Sequence, residues 1–223
     1  MITSKAVLPT SAILAGSHVS LEPLDQKHYK ELWEEIGTKP ELWEYVLSSA
    51  FSSFEEFAKF LKTLEEAGSN KTYVCILKDG TIGGYLSLMN IDLENSRAEI
   101  GRVLFGSKMQ KTTASTESIF LIMKAAFEDL NFRRLEWRCN SLNQPSIKAA
   151  NRYGFLFEGR LRNHMITKGK SRDTLIFSML QEEWCQIKAK FEKWFSPENF
   201  DEVGNQKFAL QNTIFDEMAI NLV

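Results

Sequence analysis

The chain has 223 residues, 27 Lys and Arg against 29 Asp and Glu, a formal net charge of −2 and 43% hydrophobic residues, the balance of one globular domain with a short appendage. Near-neutrality gives no electrostatic reason for a nucleic-acid or anionic-membrane partner, and no apolar run reaches the ~18–20 residues that span a bilayer. Cys75, Cys139 and Cys185 are too few and scattered for a disulfide framework or a CxxC metal site, and with His18, His28 and His164 as the only histidines the expectation is no metal and a reducing, cytoplasmic setting.

Residues 1–17 are interrupted by Pro9, Thr10 and Ser11, too broken for a signal peptide, and read as a flexible arm. Val19 to Leu24 alternates as a first strand, and Asp25 caps a helix carrying Tyr29, Leu32, Trp33 and Ile36. Pro40 opens a short helical segment with Trp43 and Tyr45. Ser53 opens a longer one, reaching Gly68, with Phe54, Phe57, Phe60, Leu61 and Leu64. So many aromatics usually form core, and they can also wall a pocket.

Asp79-Gly80 between Tyr73–Leu77 and Ile82–Met89 is a hairpin signal. A polar turn, Asn90 to Ser96, leads into Glu99-Ile-Gly-Arg-Val-Leu-Phe105, so three strands form a meander. The next helix is expected to begin near Ser115, because Ile119, Ile122, Met123, Ala126, Phe127 and Leu130 recur at helical spacing. Ahead of it lies a turn with little bulk, Gln110-Lys-Thr-Thr-Ala-Ser-Thr116. Its free backbone N–H groups, hydroxyls, helix dipole and the charges of Lys108 and Lys111 outline a phosphate site. An ordinary capped helix start explains the same residues.

A fifth strand, Arg134–Cys139, precedes a helix from Pro145 to Tyr153 stopped at Gly154. Strands Phe155–Ile166 and Asp173–Leu180 flank the turn Thr167–Ser171, and an amphipathic helix, Glu182–Phe195, presents Trp184, Ile187, Phe191 and Trp194 on one face. Residues 196–223 lack a period. Phe208, Leu210, Ile214, Phe215, Met218 and Ile220 make them too apolar for a solvated tail, so they should pack on the domain or on a partner chain. The class is α/β (α+β): a mixed, mostly antiparallel, seven-stranded twisted sheet with helices on both faces and one parallel step across the central helix.

Six short patterns then fall in register: Glu99-Ile-Gly101, Gln110-x-Thr-x-x-x-Thr-Glu117, Arg134-Leu-Glu-Trp137, Asn143-x-x-Ser146, Gly154-Phe155-x-x-Glu-Gly159 and Gly169-x-x-Arg-Asp-Thr174. Together they resemble the GCN5-related N-acetyltransferases (GNAT), in the RimJ/RimL-like branch, over about residues 18 to 185; the domain is placed at 18–195.

The resemblance implies acetyl transfer from acetyl-CoA to a primary amine through a ternary complex, with no covalent enzyme intermediate. It implies that pantetheine pairs with the backbone of Val103, Leu104 and Phe105, that Gln110, Lys111, Thr112, Thr113, Ala114, Ser115 and Thr116 cradle the pyrophosphate, and that Asn143 holds the pantetheine arm. Ser146 would bond the leaving thiolate; on its own, the same residue reads as a hydroxyl capping its helix. Thr113 and Ser115 stand where members commonly have glycine, and Ala150 stands where many carry a tyrosine acid.

An alkyl amine with a pKa near ~10 must lose a proton before attack, and Glu99 or His164 is the candidate base. Val103 or Leu104 N–H would hold the tetrahedral oxygen. Trp43, Tyr45, Phe51, Glu99 and Trp137 would face the acceptor, expected to be a small amine. The alternatives are a protein N-terminus, as in RimJ/RimL, or a non-catalytic CoA-binding sensor. A homodimer is compatible with the resemblance.

Overall fold

The computed structural model describes residues 5–68 and 70–210. Eight strands form one sheet: β1 Leu14–Ala15, β2 Val19–Pro23, β3 Lys71–Leu77, β4 Ile82–Asp92, β5 Arg97–Phe105, β6 Arg134–Asn140, β7 Leu156–Thr167 and β8 Lys170–Leu180. Their order is β1-β2-β3-β4-β5-β6-β8-β7. All neighbours are antiparallel except β5 and β6, the parallel step expected across the central helix.

The helices are α1 Tyr29–Leu32, α2 Phe54–Glu65, α3 Thr113–Lys124, α4 Gln144–Arg152 and α5 Gln181–Phe195. Two apolar cores lie on opposite faces of the sheet. On one, Ile119 and Ile122 of α3, Ala150 of α4 and Trp184 and Phe191 of α5 meet Leu86, Ile100, Leu135, Trp137 and Phe177. On the other, Leu32, Trp43, Phe57 and Leu61 cover Val74, Tyr85 and Leu104. Fully burying each such side chain contributes about 1.5–3 kcal/mol before entropy. The second cluster covers only the β2–β4 side of its face, and beyond it the sheet surface over β5, β6 and β8 is polar.

The eighth strand was not expected, because it comes from the N-terminal arm. That arm is held rather than loose: β1 pairs with β2, Ala6 is buried, and Val7 N–H donates to the Leu130 carbonyl at 3.0 Å. The buried Glu117 carboxylate of α3 accepts from the backbone N–H groups of Ser17 (2.7 Å), His18 (2.5 Å) and Val19 (3.0 Å). At the other end, Trp194 Nε1–H donates to Gln206 Oε1 at 2.9 Å, and Leu210 enters the main core. Ile214, Phe215, Met218 and Ile220, expected to pack as well, lie outside the described residues.

Candidate active site

The site begins with a defect in a strand. Between the paired positions Tyr85↔Leu104 and Ser87↔Gly101, β4 carries one residue and β5 carries two, Arg102 and Val103, which is a β-bulge. Arg102 takes φ +50°, a conformation that costs a non-glycine residue about 1 kcal/mol or more. A bulge bends its strand and raises the local twist. Here β5 leaves β6 just before it: the parallel pairs run Arg97↔Arg134, Ala98↔Leu135, Glu99↔Glu136 and no further. A slot opens between the C-terminal halves of the two strands.

Gly106 N–H bonds the Gly83 carbonyl at 2.8 Å, and Leu104 lies opposite Tyr85 in the same register. Leu104 therefore spends its peptide groups on β4, and alternation turns those of Val103 and Phe105 toward the slot. The expectation that Leu104 backbone meets the cofactor is corrected by that parity. Phe105 carbonyl already accepts from Gln110 Nε2 at 2.8 Å, so the Val103 peptide and Phe105 N–H remain available.

Beyond Phe105 the chain turns past Gly106, where a Cβ would collide with the Glu35 carboxylate, and enters α3. The helix starts two residues earlier than periodicity suggests. Thr112 is its N-cap, with Oγ1 accepting from Ser115 N–H at 3.3 Å, and Ser115 Oγ donates back to the Thr112 carbonyl at 2.7 Å. Lys111, at φ +62°, reverses the chain just ahead. The cap satisfies one first-turn donor and leaves the N–H groups of Thr113 and Ala114 pointing out of the helix start. The positive end of the dipole and Lys111 add to an anion-binding end.

On the same face as α3, the start of α4 meets β6. Asn143 is the cap, its Oδ1 accepting from Ser146 N–H at 3.1 Å. The capping role is thus taken by Asn143, and the Ser146 hydroxyl is free of it. Ser146 Oγ accepts from Trp137 Nε1–H at 3.0 Å; an indole N–H can only donate, so the hydroxyl keeps its own proton for another acceptor. Burial pushes the thiol of Cys139 up to about 11, with the Ser146 hydroxyl as a smaller opposing influence.

A family model described as "Acetyltransferase (GNAT) domain" matches residues 18–156. The chain belongs to the GNAT family. A solved GCN5-related N-acetyltransferase from Brucella melitensis is 36% identical, with a TM-score of 0.88 over 92% of this chain and 95% of that one. The N-acetyltransferase p20 of Bacillus licheniformis is 30% identical over 150 residues, 66% of this chain and 84% of p20. YdaF of Bacillus subtilis, named for ribosomal N-acetyltransfer, is 31% identical over 109 residues, 49% of this chain and 59% of YdaF. GNAT members take their acetyl group from acetyl-CoA.

The opposite, polar face of this GNAT domain carries Glu99 at the last paired position before the slot. It is 7% exposed, accepts from Asn90 Nδ2 at 2.8 Å and lies 3.5 Å from Arg138 Nε. Burial raises its pKa, against the opposing effects of Asn90 and Arg138. Glu136, its neighbour across the parallel pair, goes the other way. Burial would raise it too, but bonds from Arg134 (2.9 Å) and Arg138 (2.6 Å) hold it below the usual value. Two adjacent carboxyls are thus split into one kept ionised and one that releases its proton late.

Of the residues expected at the site, Ser146 and Asn143 meet at the α4 start, and Glu99 flanks the slot from the other face. His164 stands further out, on β7, with Nδ1 3.0 Å from Thr174 Oγ1. Trp43 is corrected to core: it is 1% exposed, enclosed by Phe51, Phe57 and Phe60, with its indole N–H on the Ile36 carbonyl. Trp137 is corrected as well. Its side chain lies on the helical face against Tyr153 and Phe155, away from Glu99, and its polar group goes to Ser146. Tyr45 and Phe51 are half-buried. Two residues that sequence reasoning passed over stand on the polar face, Arg102 of the bulge and Arg172 of β8. Arg172 lay inside the quoted Gly169-x-x-Arg-Asp pattern, a signal that was available; the bulge left none.

Proposed function

We propose that this GNAT domain transfers acetyl from acetyl-CoA to a primary amine by direct attack in a ternary complex. One observation carries the reading: a late-releasing carboxyl and a proton-bearing hydroxyl flank the same slot from opposite faces. The residues fit the cosubstrate, since Thr113 and Ala114 N–H with Lys111 suit a pyrophosphate, Val103 and Phe105 suit an amide arm, and the Asn143 side-chain amide retains its donors. Acetyl-CoA supplies an activated thioester carbonyl.

Glu99 takes the proton of the incoming ammonium, directly or through one water, so that the amine lone pair can attack. Val103 N–H steadies the carbonyl oxygen as the C–N bond forms. As the C–S bond breaks, Ser146 donates its hydrogen bond to the departing sulfur, with Trp137 holding its oxygen. The nitrogen gives up two protons: the first passes through Glu99 to solvent, and the second, lost as the amide forms, ends on the sulfur as a neutral thiol.

A small acceptor is supported by the far wall of the polar face. Lys168, at the tip of the β7–β8 hairpin, donates to the carbonyls of Trp43 and Glu44, tying the hairpin to the segment between α1 and α2 over the route a polypeptide would need. A protein N-terminus is the second reading, favoured by the ribosomal role in YdaF's name. Thiol release from acetyl-CoA with a panel of small amines and a panel of short peptides tests both. Turnover of small amines supports the first reading, and turnover of peptides alone replaces it with the second. No turnover at all, with acetyl-CoA still stabilising the protein, would mean a CoA sensor.

A further inference from the structure

The polar face holds five arginines around Glu99 and Glu136, and they divide into two groups. Arg97 pairs with Asp92 (3.1 Å) and reaches Glu136 (3.7 Å). Arg134 pairs with Glu136 (2.9 Å) and with both oxygens of Glu158 (2.7 and 2.6 Å). Arg138 pairs with Glu136 (2.6 Å) and Glu99 (3.5 Å). Those three are consumed by the carboxylates present. Arg102 and Arg172 form no ion pair with a described residue, and Arg102 Nη1 and Arg172 Nε are shut off from solvent with no hydrogen-bond partner.

A shielded guanidinium N–H without an acceptor is costly and uncommon in native proteins, so two of them beside one site point to an acceptor atom that arrives with a ligand. Both groups are close enough to Glu99 for their charges to be felt there, and the charge of Arg102 is felt at Tyr85 as well. Arg172 is placed by β8 next to Thr174, which pairs with Asn140 at the end of β6. Arg102 is placed by the bulge on the other bank of the slot. The register therefore sets Arg102 on β5 and Arg172 on β8 just beyond the end of β6, both near Glu99.

We propose that the acceptor amine carries a carboxylate, received by Arg102 and Arg172 while Glu99 takes the amine's proton. The inference rests on the acetyl-transfer reading and adds the substrate class to it. A guanidinium suits a carboxylate through paired N–H donors. A diamine would set its second cation against Arg102, Arg138 and Arg172 and be rejected. A free amino acid and a peptide beginning with Asp or Glu both present this chemistry, and the assay separates them.

The experiment measures acetyl-CoA-dependent thiol release by the full chain on matched acceptors: glutamate and phenylalanine against their amides, β-alanine against propylamine, and C-terminally amidated peptides starting with Asp or Glu against Asn or Gln. The carboxylate member of each productive pair should lead by about 30-fold or more in kcat/KM, the scale of one desolvated charge pair. Arg172→Gln and Arg102→Gln should collapse that ratio toward one by raising KM for the acid while KM for acetyl-CoA holds, and Arg172→Lys should restore part of it. Should either glutamine variant melt early, the ratio in the parent chain decides alone. Equal or faster turnover of the neutral members overturns the proposal and leaves acetyl transfer standing. No turnover of any member overturns both.

Discussion

Replacing Ser146 by Ala separates a catalytic hydroxyl from a structural one, because the local geometry fixes what each role predicts. The α4 cap survives the change, since Asn143 Oδ1 accepts from the backbone N–H of residue 146 and Ala keeps it. The structural loss is one partner: Trp137 Nε1–H, on a side chain 4% exposed, loses its acceptor at 3.0 Å, which costs about 1–3 kcal/mol of stability. Trp137→Phe removes the donor instead. In the double variant the orphan is gone, so the two stability losses should fall short of additivity by about 1 kcal/mol or more. The catalytic loss is of a different size. A positioned proton donor contributes about 10²–10⁴-fold, so kcat should fall by that much while KM for acetyl-CoA stays within about 3-fold, the pattern of an interaction made in the transition state. Single-turnover acetyl transfer and thermal melts of the three variants read both quantities. A variant destabilised as expected, with kcat within about 3-fold of the parent, would refute the assignment and leave Ser146 as Trp137's partner only.

Acetyl-CoA should raise the melting temperature by binding the native state, and Ala114→Asp, which sets a carboxylate at the α3 start, should abolish that rise; an undiminished rise would move the pyrophosphate elsewhere. Glu99 sets an acid limb on kcat/KM whose midpoint lies above an ordinary glutamate, because burial raises its pKa, and Glu99→Gln should remove that limb along with most of the rate. The same shift has a stability sign. Between the unfolded value and the raised folded value the native state binds more protons, so Glu99's contribution falls as pH rises through that window, and the difference in stability between parent and Glu99→Gln should move in Gln's favour from pH 4.5 upward; a flat difference would contradict the shift. Glu117→Ala strips the acceptor from three backbone N–H groups and should cost at least about 3 kcal/mol, with residues 5–19 becoming the first to exchange amide hydrogens.

What the sequence disclosed and what it withheld follow from the range of the interactions involved. The β3–β4 hairpin was legible in Asp79-Gly80, where Gly80 takes φ +84°, and α2 in its Ser53 cap, because a turn or a cap is decided within four residues. The α3 helix start was legible for the same reason, although it moved to the Thr112 cap once that side chain, rather than apolar periodicity, fixed the first turn. β1 was not legible. Two residues, Leu14 and Ala15, have no pattern of their own, and they are held by pairing with β2 and by a loop that answers to Glu117, 100 residues on from Ser17. Trp43 and Trp137 were misjudged together, since aromatic content carries no label for which face of a sheet a ring will reach. The bulge is the instructive case. Nothing in Gly-Arg-Val marks Arg102 for a positive φ, yet that one residue shifts the parity that takes Leu104 away from the slot and sets a guanidinium that forms no ion pair with a described residue just past the end of the β5–β6 pairing. Across the bulge β5 keeps its partner β4, while it parts from β6 after Glu99, ahead of Arg102. The chemistry of this face therefore depends on a backbone irregularity more than on any residue type that composition or spacing could single out.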